Sequence, residues 1–421
     1  TPPGVADDTP PGVADDTPMD TAANGATGET PRQEAHGRPV YLTGLATYVP
    51  EPTITGQEIA ERSGIPEHVV VEKMGVSEKH VCPADDDHVT DMCVAAGERA
   101  LEDAGIDAES LDLVLFHGSE YKDYVVWSAA ANVCERLGAV NAYAHESYTL
   151  CAGAPIAIRH TAAQLRVGDV DRALLVAASR EEDLVDYQNE DSSFMFNFGS
   201  GASALVLEAG GAADPDSPET ASGSNLDRDD ARAGDPDRDD AGAGDPDRDK
   251  ASPQRRARAT VRSSAATTDG SFSEDVVMPA GGSKRPPSEE TVQRGRHTLD
   301  VPDPDGMKER LGEVSAPNFL GVADDALAAS GYDRADLDFV ALTHMKRSFH
   351  DYLTSELGVD EGQYYLDDYG HVQSVDQALA VERGLTDELL HVGDVVLFLA
   401  AGTGYTWSAT VLDWHDDTAP P

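Results

Sequence analysis

Positive charge is what this 421-residue chain has least of: 31 Lys and Arg stand against 78 Asp and Glu, a formal net charge of −47. Nucleic acid and anionic membrane are therefore poor partners, since both would be repelled. Lysine is scarcer still, at positions 73, 79, 122, 250, 284, 308 and 346 alone. Acids that lean to Asp give a strongly hydrated surface, and concentrated salt shortens the Debye length enough to hide much of the self-repulsion. A salt-adapted cytoplasm is the expected setting. No apolar run approaches the ~20 residues that a membrane helix needs, and the chain does not open on a basic-then-apolar leader, so neither a span nor a secretory signal is expected. The four cysteines, at 82, 93, 134 and 151, follow neither a metal-ligand spacing nor a secreted disulfide framework. They read as reduced thiols with no metal site.

What is present is enough apolar material, 40% of residues, to bury sizeable cores in two or three domains. Residues 1–37 open with Thr-Pro-Pro-Gly-Val-Ala-Asp-Asp twice in tandem and read as a disordered tail. Globular patterning runs over 38–209. It stops abruptly at 210–257, where Asp-Arg-Asp-Asp-Ala-x-Ala-Gly-Asp-Pro occurs at 227–236 and again at 237–246. That segment cannot bury a core and reads as an acidic insertion on a surface loop. Globular patterning resumes over 258–416, and 417–421 is a tail.

Within the first globular part, buried strands are expected at Val40 to Leu45, Leu111 to His117, Ala173 to Ala178 and into Glu208. Helices are expected at Ile54 to Ser63, Asp91 to Ala104 and Ala129 to Gly138, with Val69 to His80 a strand or loop. In the second part helices are expected from about Ala316 to Ser330, over Ser348 to Leu357 and over Asp376 to Arg383. Strands are expected at Leu337 to Thr343, Val395 to Ala400 and Thr410 to Trp414.

The stretch Tyr148-Thr149-Leu150-Cys151-Ala152-Gly153-Ala154-Pro155 leads into an amphipathic helix, which places the Cys151 sulfur at a helix N-terminus. The helix dipole and free backbone N–H groups there favour thiolate over thiol. Small neighbours leave room for a substrate carbonyl.

The two globular parts also repeat each other. Ala100-Leu101, Gly105, Asp107, Leu111-Asp112 and Val114 match Ala326-Leu327, Gly331, Asp333, Leu337-Asp338 and Val340 at one offset. Gly168-Asp169-Val170 matches Gly393-Asp394-Val395 at the same offset to within one residue. Two α/β halves of like topology follow, each with a mostly parallel buried sheet covered by helices. Ligands of such sheets sit at the strands' C-terminal ends, and His344 follows one of these strands.

Five stretches together resemble the thiolase superfamily, most closely its β-ketoacyl-acyl-carrier-protein synthase III branch. They are Val40 to Pro50, Cys151-Ala152-Gly153, Phe198-Gly199-Ser200-Gly201-Ala202, His344 after a buried strand, and Gly402-Thr403-Gly404-Tyr405-Thr406-Trp407. The resemblance implies a thiolase fold, two duplicated α/β halves packed as a layered αβαβα core, and an acyltransferase that needs no cofactor beyond coenzyme A thioesters as substrates. Carried over residue by residue, Cys151 is the nucleophile that holds the acyl group, and His344 and His371 stabilise an enolate. The backbone N–H of Cys151 with that of Thr403 or Gly404 forms the oxyanion hole. His371, in Tyr369-Gly370-His371, stands where the family usually has asparagine, and Met345-Lys346-Arg347 where it tends to have Gln-Ala-Asn. Lys73, Lys79, Lys346 and Arg347 are candidates for the phosphates of coenzyme A or an acidic carrier protein. A homodimer is implied by the resemblance alone.

The leading expectation is decarboxylative condensation of an acyl-CoA with a malonyl-type thioester, CoA- or carrier-borne, to a 3-oxoacyl thioester. A second uses Glu120, in Gly118-Ser119-Glu120, as a general base for condensation without decarboxylation, as in hydroxymethylglutaryl-CoA synthases. A third is a non-catalytic thiolase-fold partner of another enzyme.

Overall fold

The computed structural model describes residues 37–83, 85–211, 257–416, 418 and 420. The tandem N-terminal repeat and the acidic repeat at 227–246 lie outside the described residues. Eleven strands and nine helices of the described chain are used below. In order they are β1 Val40–Tyr48, β2 Thr53–Thr55, α1 Gly56–Ser63, α2 Glu67–Val69, β3 Glu78–His80, α3 Val89–Ala104, β4 Leu113–Gly118, α4 Ala129–Leu137, β5 Tyr143–Tyr148, α5 Gly153–Val167, β6 Arg172–Ser179, β7 Gly201–Ala209, β8 Ala259–Thr268, α6 Glu289–Gln293, α7 Pro304–Ser330, β9 Phe339–Leu342, α8 Arg347–Leu357, α9 Asp376–Thr386, β10 Val395–Gly402 and β11 Thr406–Trp414.

Nine strands hydrogen-bond in the order β5-β4-β6-β7-β1-β8-β11-β10-β9. The expectation of mostly parallel sheets is corrected here. Only β4–β5, β4–β6 and β9–β10 are parallel, while β1–β7, β1–β8, β6–β7, β8–β11 and β10–β11 are antiparallel. The two halves meet through β1 and β8 over two residue pairs, Tyr41↔Thr260 and Leu42↔Ala259.

Three apolar clusters define the layers. Ala157, Ile158 and Leu165 of α5 and Ala380 and Val381 of α9 pack between the two half-sheets, against Leu113, Leu115, Leu175 and Leu205 on one side and Phe339, Phe398 and Leu412 on the other. Helices α3 and α4 cover the outer face of the first half-sheet. Helices α7 and α8 cover the outer face of the second. Each fully buried Leu, Ile or Phe in these layers contributes about 1.5–3 kcal/mol relative to exposure. The order helix, sheet, helix, sheet, helix is the αβαβα arrangement of the thiolase fold.

The duplication has a structural signature. Asp112 and Asp338 occupy matching positions before β4 and β9, and each carboxylate accepts backbone N–H groups at the start of a neighbouring strand. Asp112 takes Asp171 and Arg172, and Asp338 takes Val395. Helices α3 and α7 both end on a left-handed glycine, Gly105 at φ 66° and Gly331 at φ 83°, the conformation that glycine adopts at least cost.

Candidate active site

Cys151 enters α5 through a tight turn. Leu150 just before it holds φ 51°, a left-handed conformation uncommon for a residue with a Cβ, and a single 3-10 turn at Leu150–Ala152 joins it to the helix. The small residues that follow are required by packing. A Cβ on Gly153 would lie 2.9 Å from Ser374 Cβ and 3.1 Å from Gly118 Cα, so only glycine lets the first turn of α5 press against the loop of the second half. The sulfur is buried, with Cys151 7% exposed.

The opposing loop is shaped by Gly370 at φ 74° and Gln373 at φ 58°. Between them, His371 is pinned by its backbone: its N–H donates to the Asn197 carbonyl at 2.8 Å, and its carbonyl accepts the Gly199 N–H at 3.0 Å. A Cβ on Gly199 would collide with the Tyr369 carbonyl oxygen. The glycine-rich Phe198-Gly199-Ser200-Gly201 stretch thus seats the His371 loop.

The His371 Nε2 lies 3.0 Å from Cys151 Sγ, and its Nδ1 donates to Asp376 Oδ2 at 2.6 Å. Asp376 is fully buried at the first position of α9. Burial by itself pushes the His371 pKa down, but the Asp376 carboxylate and the Cys151 sulfur outweigh it and hold it well above the ordinary histidine value. A cysteine, a histidine and an aspartate in line are the arrangement in which a base is oriented by a third group. Gln373 adds its amide 3.4 Å from the sulfur.

His344 follows β9 and is also buried. Its backbone N–H donates to the same Asp376 Oδ2 at 2.7 Å. Neither ring nitrogen has a hydrogen-bond partner among the described residues. Burial first, then the neighbouring His371, His350 and Arg347, holds its pKa well below the usual value, so the ring is neutral. Tyr365 flanks it with ring centroids 4.8 Å apart.

The end of β10 lies beneath Cys151. A Cβ on Gly402 would collide with the Thr149 carbonyl oxygen and sit 2.8 Å from the Ala152 nitrogen and 3.1 Å from that of Cys151. Thr403 and Gly404 follow directly, in the turn to β11. Tyr405, stacked on Trp407 at 5.7 Å, has its phenol pKa raised by burial and then by the Cys151 charge.

The other expected residues are more dispersed. Glu120 is exposed on the loop after β4, beside Tyr148, whereas the hydrogen-bond partners of Cys151 are His371 and Gln373. Lys73 and Lys346 are exposed. Arg347 pairs with Asp367 at 3.1 Å and lies 3.8 Å from the Tyr365 ring centroid. Lys79, one of the candidates for the phosphates of coenzyme A or a carrier, is fully buried. Its ammonium donates to the Phe198 carbonyl at 2.5 Å, and burial pulls its pKa down to about 7 against the opposing charge of Glu182. Asp376 and Gln373 were not anticipated. The only signal was an acid five residues after His371, which at a helix start reads as an ordinary N-terminal acid.

Comparison with known proteins agrees with this fold. The model for 3-oxoacyl-[acyl-carrier-protein] synthase III matches residues 147–225, and that for the same synthase's C-terminal part matches 327–414. The β-ketoacyl-[acyl-carrier-protein] synthase III of Desulfitobacterium hafniense is 24% identical over 380 residues, 89% of this chain and 98% of that protein. The crystal structure of 3-oxoacyl-(acyl carrier protein) synthase III, FabH, from Pseudomonas aeruginosa superposes with a TM-score of 0.69 at 20% identity, over 90% of this chain and 99% of that one. Xanthomonas campestris OleA, solved with bound lauric acid and lauroyl-CoA, gives 0.65 at 17% identity, over 90% and 99%. In fold the chain is thus similar to thiolase-fold acyltransferases of the thioester-condensing class. Within that class the chain is similar to the β-ketoacyl-acyl-carrier-protein synthases III.

Proposed function

We propose that this chain takes an acyl group from acyl-CoA onto Cys151, then joins it to the carbanion of a malonyl-type thioester and releases a 3-oxoacyl thioester. The observation that carries the reading is the 3.0 Å contact between Cys151 Sγ and His371 Nε2 across the seam of the two halves. The thiolate, paired with the His371 imidazolium, attacks the acyl carbonyl at the N-terminus of α5. The N–H of Cys151, with that of Thr403 or Gly404, receives the developing oxyanion. Such donors lower the barrier by about 3–4 kcal/mol each.

In the second step His344 is the enolate partner. A neutral imidazole keeps one N–H, and both nitrogens of this ring lack a partner among the described residues, so it can donate to the malonyl thioester oxygen as carbon dioxide leaves. Lys73 and Lys346 are the exposed cations for coenzyme A or carrier phosphates; Arg347 is engaged by Asp367 and Tyr365. A homodimer fits the exposed Tyr143 and Tyr148 of β5, one of the sheet's two edge strands, and the exposed Tyr124, Val125 and Val126 on the loop before α4. The acidic composition fits work in concentrated salt. Among the described residues no helix is long and apolar enough to cross a membrane.

The test supplies acetyl-CoA with either a malonyl or an acetoacetyl thioester. Carbon dioxide release and a 3-oxoacyl product with the former support the reading. Hydroxymethylglutaryl-CoA from the latter, without decarboxylation, transfers the role of base to a carboxylate such as Glu120.

A further inference from the structure

The His371 ring sits between two groups that fix where its protons go. Asp376, fully buried, holds Nδ1 at 2.6 Å, and its carboxylate also accepts the N–H groups of His344 and Val372, both at 2.7 Å. An ionised carboxylate only accepts, so Nδ1 keeps its proton throughout and Nε2 is the atom that changes state.

Before acylation Nε2–H faces the Cys151 thiolate. As Cys151 attacks an acyl thioester, the new carbon–sulfur bond forms, the carrier's carbon–sulfur bond breaks, and the Nε2 proton leaves on the carrier thiol. The acyl-enzyme then has a neutral His371 whose Nε2 lone pair faces the acylated sulfur. That nitrogen has no hydrogen to give an enolate oxygen, but it can take one. An asparagine at 371 would do the reverse, because an amide donates readily and is not a base.

We propose that the Cys151–His371–Asp376 array also passes its acyl group to the hydroxyl of a small organic acceptor, forming an oxygen ester. This rests on the acyl-enzyme reading of Cys151. His371 Nε2 takes the hydroxyl proton while the oxygen attacks the thioester carbonyl. The tetrahedral intermediate collapses with a carbon–oxygen bond in place of the carbon–sulfur bond. Cys151 leaves as thiolate beside the new imidazolium, which restores the starting pair. Every proton and electron pair is accounted for by acyl-enzyme and acceptor alone. A hydroxyl is the acceptor that needs such a base, since its proton has to depart during attack. The burial of Cys151 and His371, 7% and 6% exposed, restricts competition from bulk water.

The test uses the full chain. It is acetylated with acetyl-CoA to completion, freed of excess reagent, and chased with 1-propanol, benzyl alcohol or glycerol, or with malonyl-CoA, while intact-protein mass follows the adduct and chromatography the ester. The expected result is an ester whose formation rises with pH as an imidazole loses its proton and slows in heavy water. His371→Asn or His371→Gln, loaded to completion before the chase, should discharge to alcohol about 10²-fold or more slowly. An adduct that malonyl-CoA discharges but alcohols do not, or one that yields only acetate, overturns the proposal and leaves the acyl-enzyme reading standing. No adduct on the unaltered chain overturns both. Should neither variant take an adduct, a flat pH profile without an isotope effect for the unaltered chain overturns the proposal, and a rising profile with one supports it.

Discussion

A single carboxylate oxygen joins the two histidines of the site: Asp376 Oδ2 accepts the ring Nδ1–H of His371 at 2.6 Å and the backbone N–H of His344 at 2.7 Å. The second oxygen takes the Val372 N–H at 2.7 Å. Asp376 therefore sets the tautomer of one imidazole and the placement of the other. Its counterpart in the first half is the start of α5, so the N-termini of the two central helices hold Cys151 and the residue that orients His371.

Asp376→Asn keeps the shape but supplies an amide that can donate to Nδ1, which turns the His371 proton toward the sulfur as the wrong tautomer. Turnover should fall by about 10²–10⁴ with little change in KM, following the logic of a triad whose acid is amidated. Steady-state kinetics beside thermal melting separate this from unfolding. A variant that keeps half its turnover at an unchanged melting temperature would show that the acid does not orient the base.

His344 is assigned to the second step only. His344→Ala should still accept an acetyl group on Cys151, seen by intact-protein mass, while carbon dioxide release from malonyl-CoA falls by about 10²-fold or more, the order of loss on removing one aimed donor. Equal losses in both readouts would instead make His344 part of the acylation machinery.

Cys151, His344 and His371 were legible because each lies at a junction marked in the chain: an apolar approach, small residues and a helix for the first, a buried strand for the second, a Tyr-Gly turn for the third. Asp376 was not, since its role depends on the left-handed residues Gly370 and Gln373, which fold the loop back on its own helix. Strand direction is hidden in the sequence because of burial. All nine residues of β7 are buried because helices cover both faces, and an antiparallel strand covered on both sides has the continuous apolar pattern of a parallel one. Helix α7 begins at Pro304, a turn-rich stretch earlier than its apolar spacing suggests, and it tolerates Pro317 in its interior. Lys79 looked like any sparse surface cation until tertiary packing buried it against the Phe198 carbonyl.

Acid should weaken the fold through its buried histidines. Burial pulls the His117 pKa to about 3 and that of His350 to about 4, and His344 is also held low. Below pH ~6.5 the unfolded chain binds protons at these three that the folded chain refuses, so stability falls as pH falls, by up to about 1.4 kcal/mol per pH unit for each. His371, raised in the fold, contributes in the opposite sense. Urea unfolding between about pH 6.5 and about pH 4 should show the loss, and His117→Gln should make it shallower by one histidine's share. An unchanged slope would mean that His117 is protonated inside the fold.

Gly402 gives a test of positioning that leaves every reacting group in place. Its Cα lies so close beneath the Cys151 turn that an added methyl would meet the Thr149 carbonyl, with the Ala152 and Cys151 nitrogens at 2.8 and 3.1 Å. Those are backbone atoms and cannot rotate away, so Gly402→Ala has to lift the turn or push β10 down. Either displaces the Cys151 N–H from the N–H groups of Thr403 and Gly404, and a shift near ~1 Å at a reacting centre costs about 10²-fold. Ser408 Oγ, bonded to the Ala152 carbonyl at 3.2 Å, and Thr410 Oγ1, bonded to that of Pro155 at 3.3 Å, tie the same strand pair to α5 and resist relaxation. Acylation by acetyl-CoA should therefore slow by about that factor while thiol alkylation of Cys151 by a small reagent, which needs no oxyanion hole, changes far less. If both rates fall together, the methyl has blocked the sulfur and the oxyanion assignment to this turn is wrong.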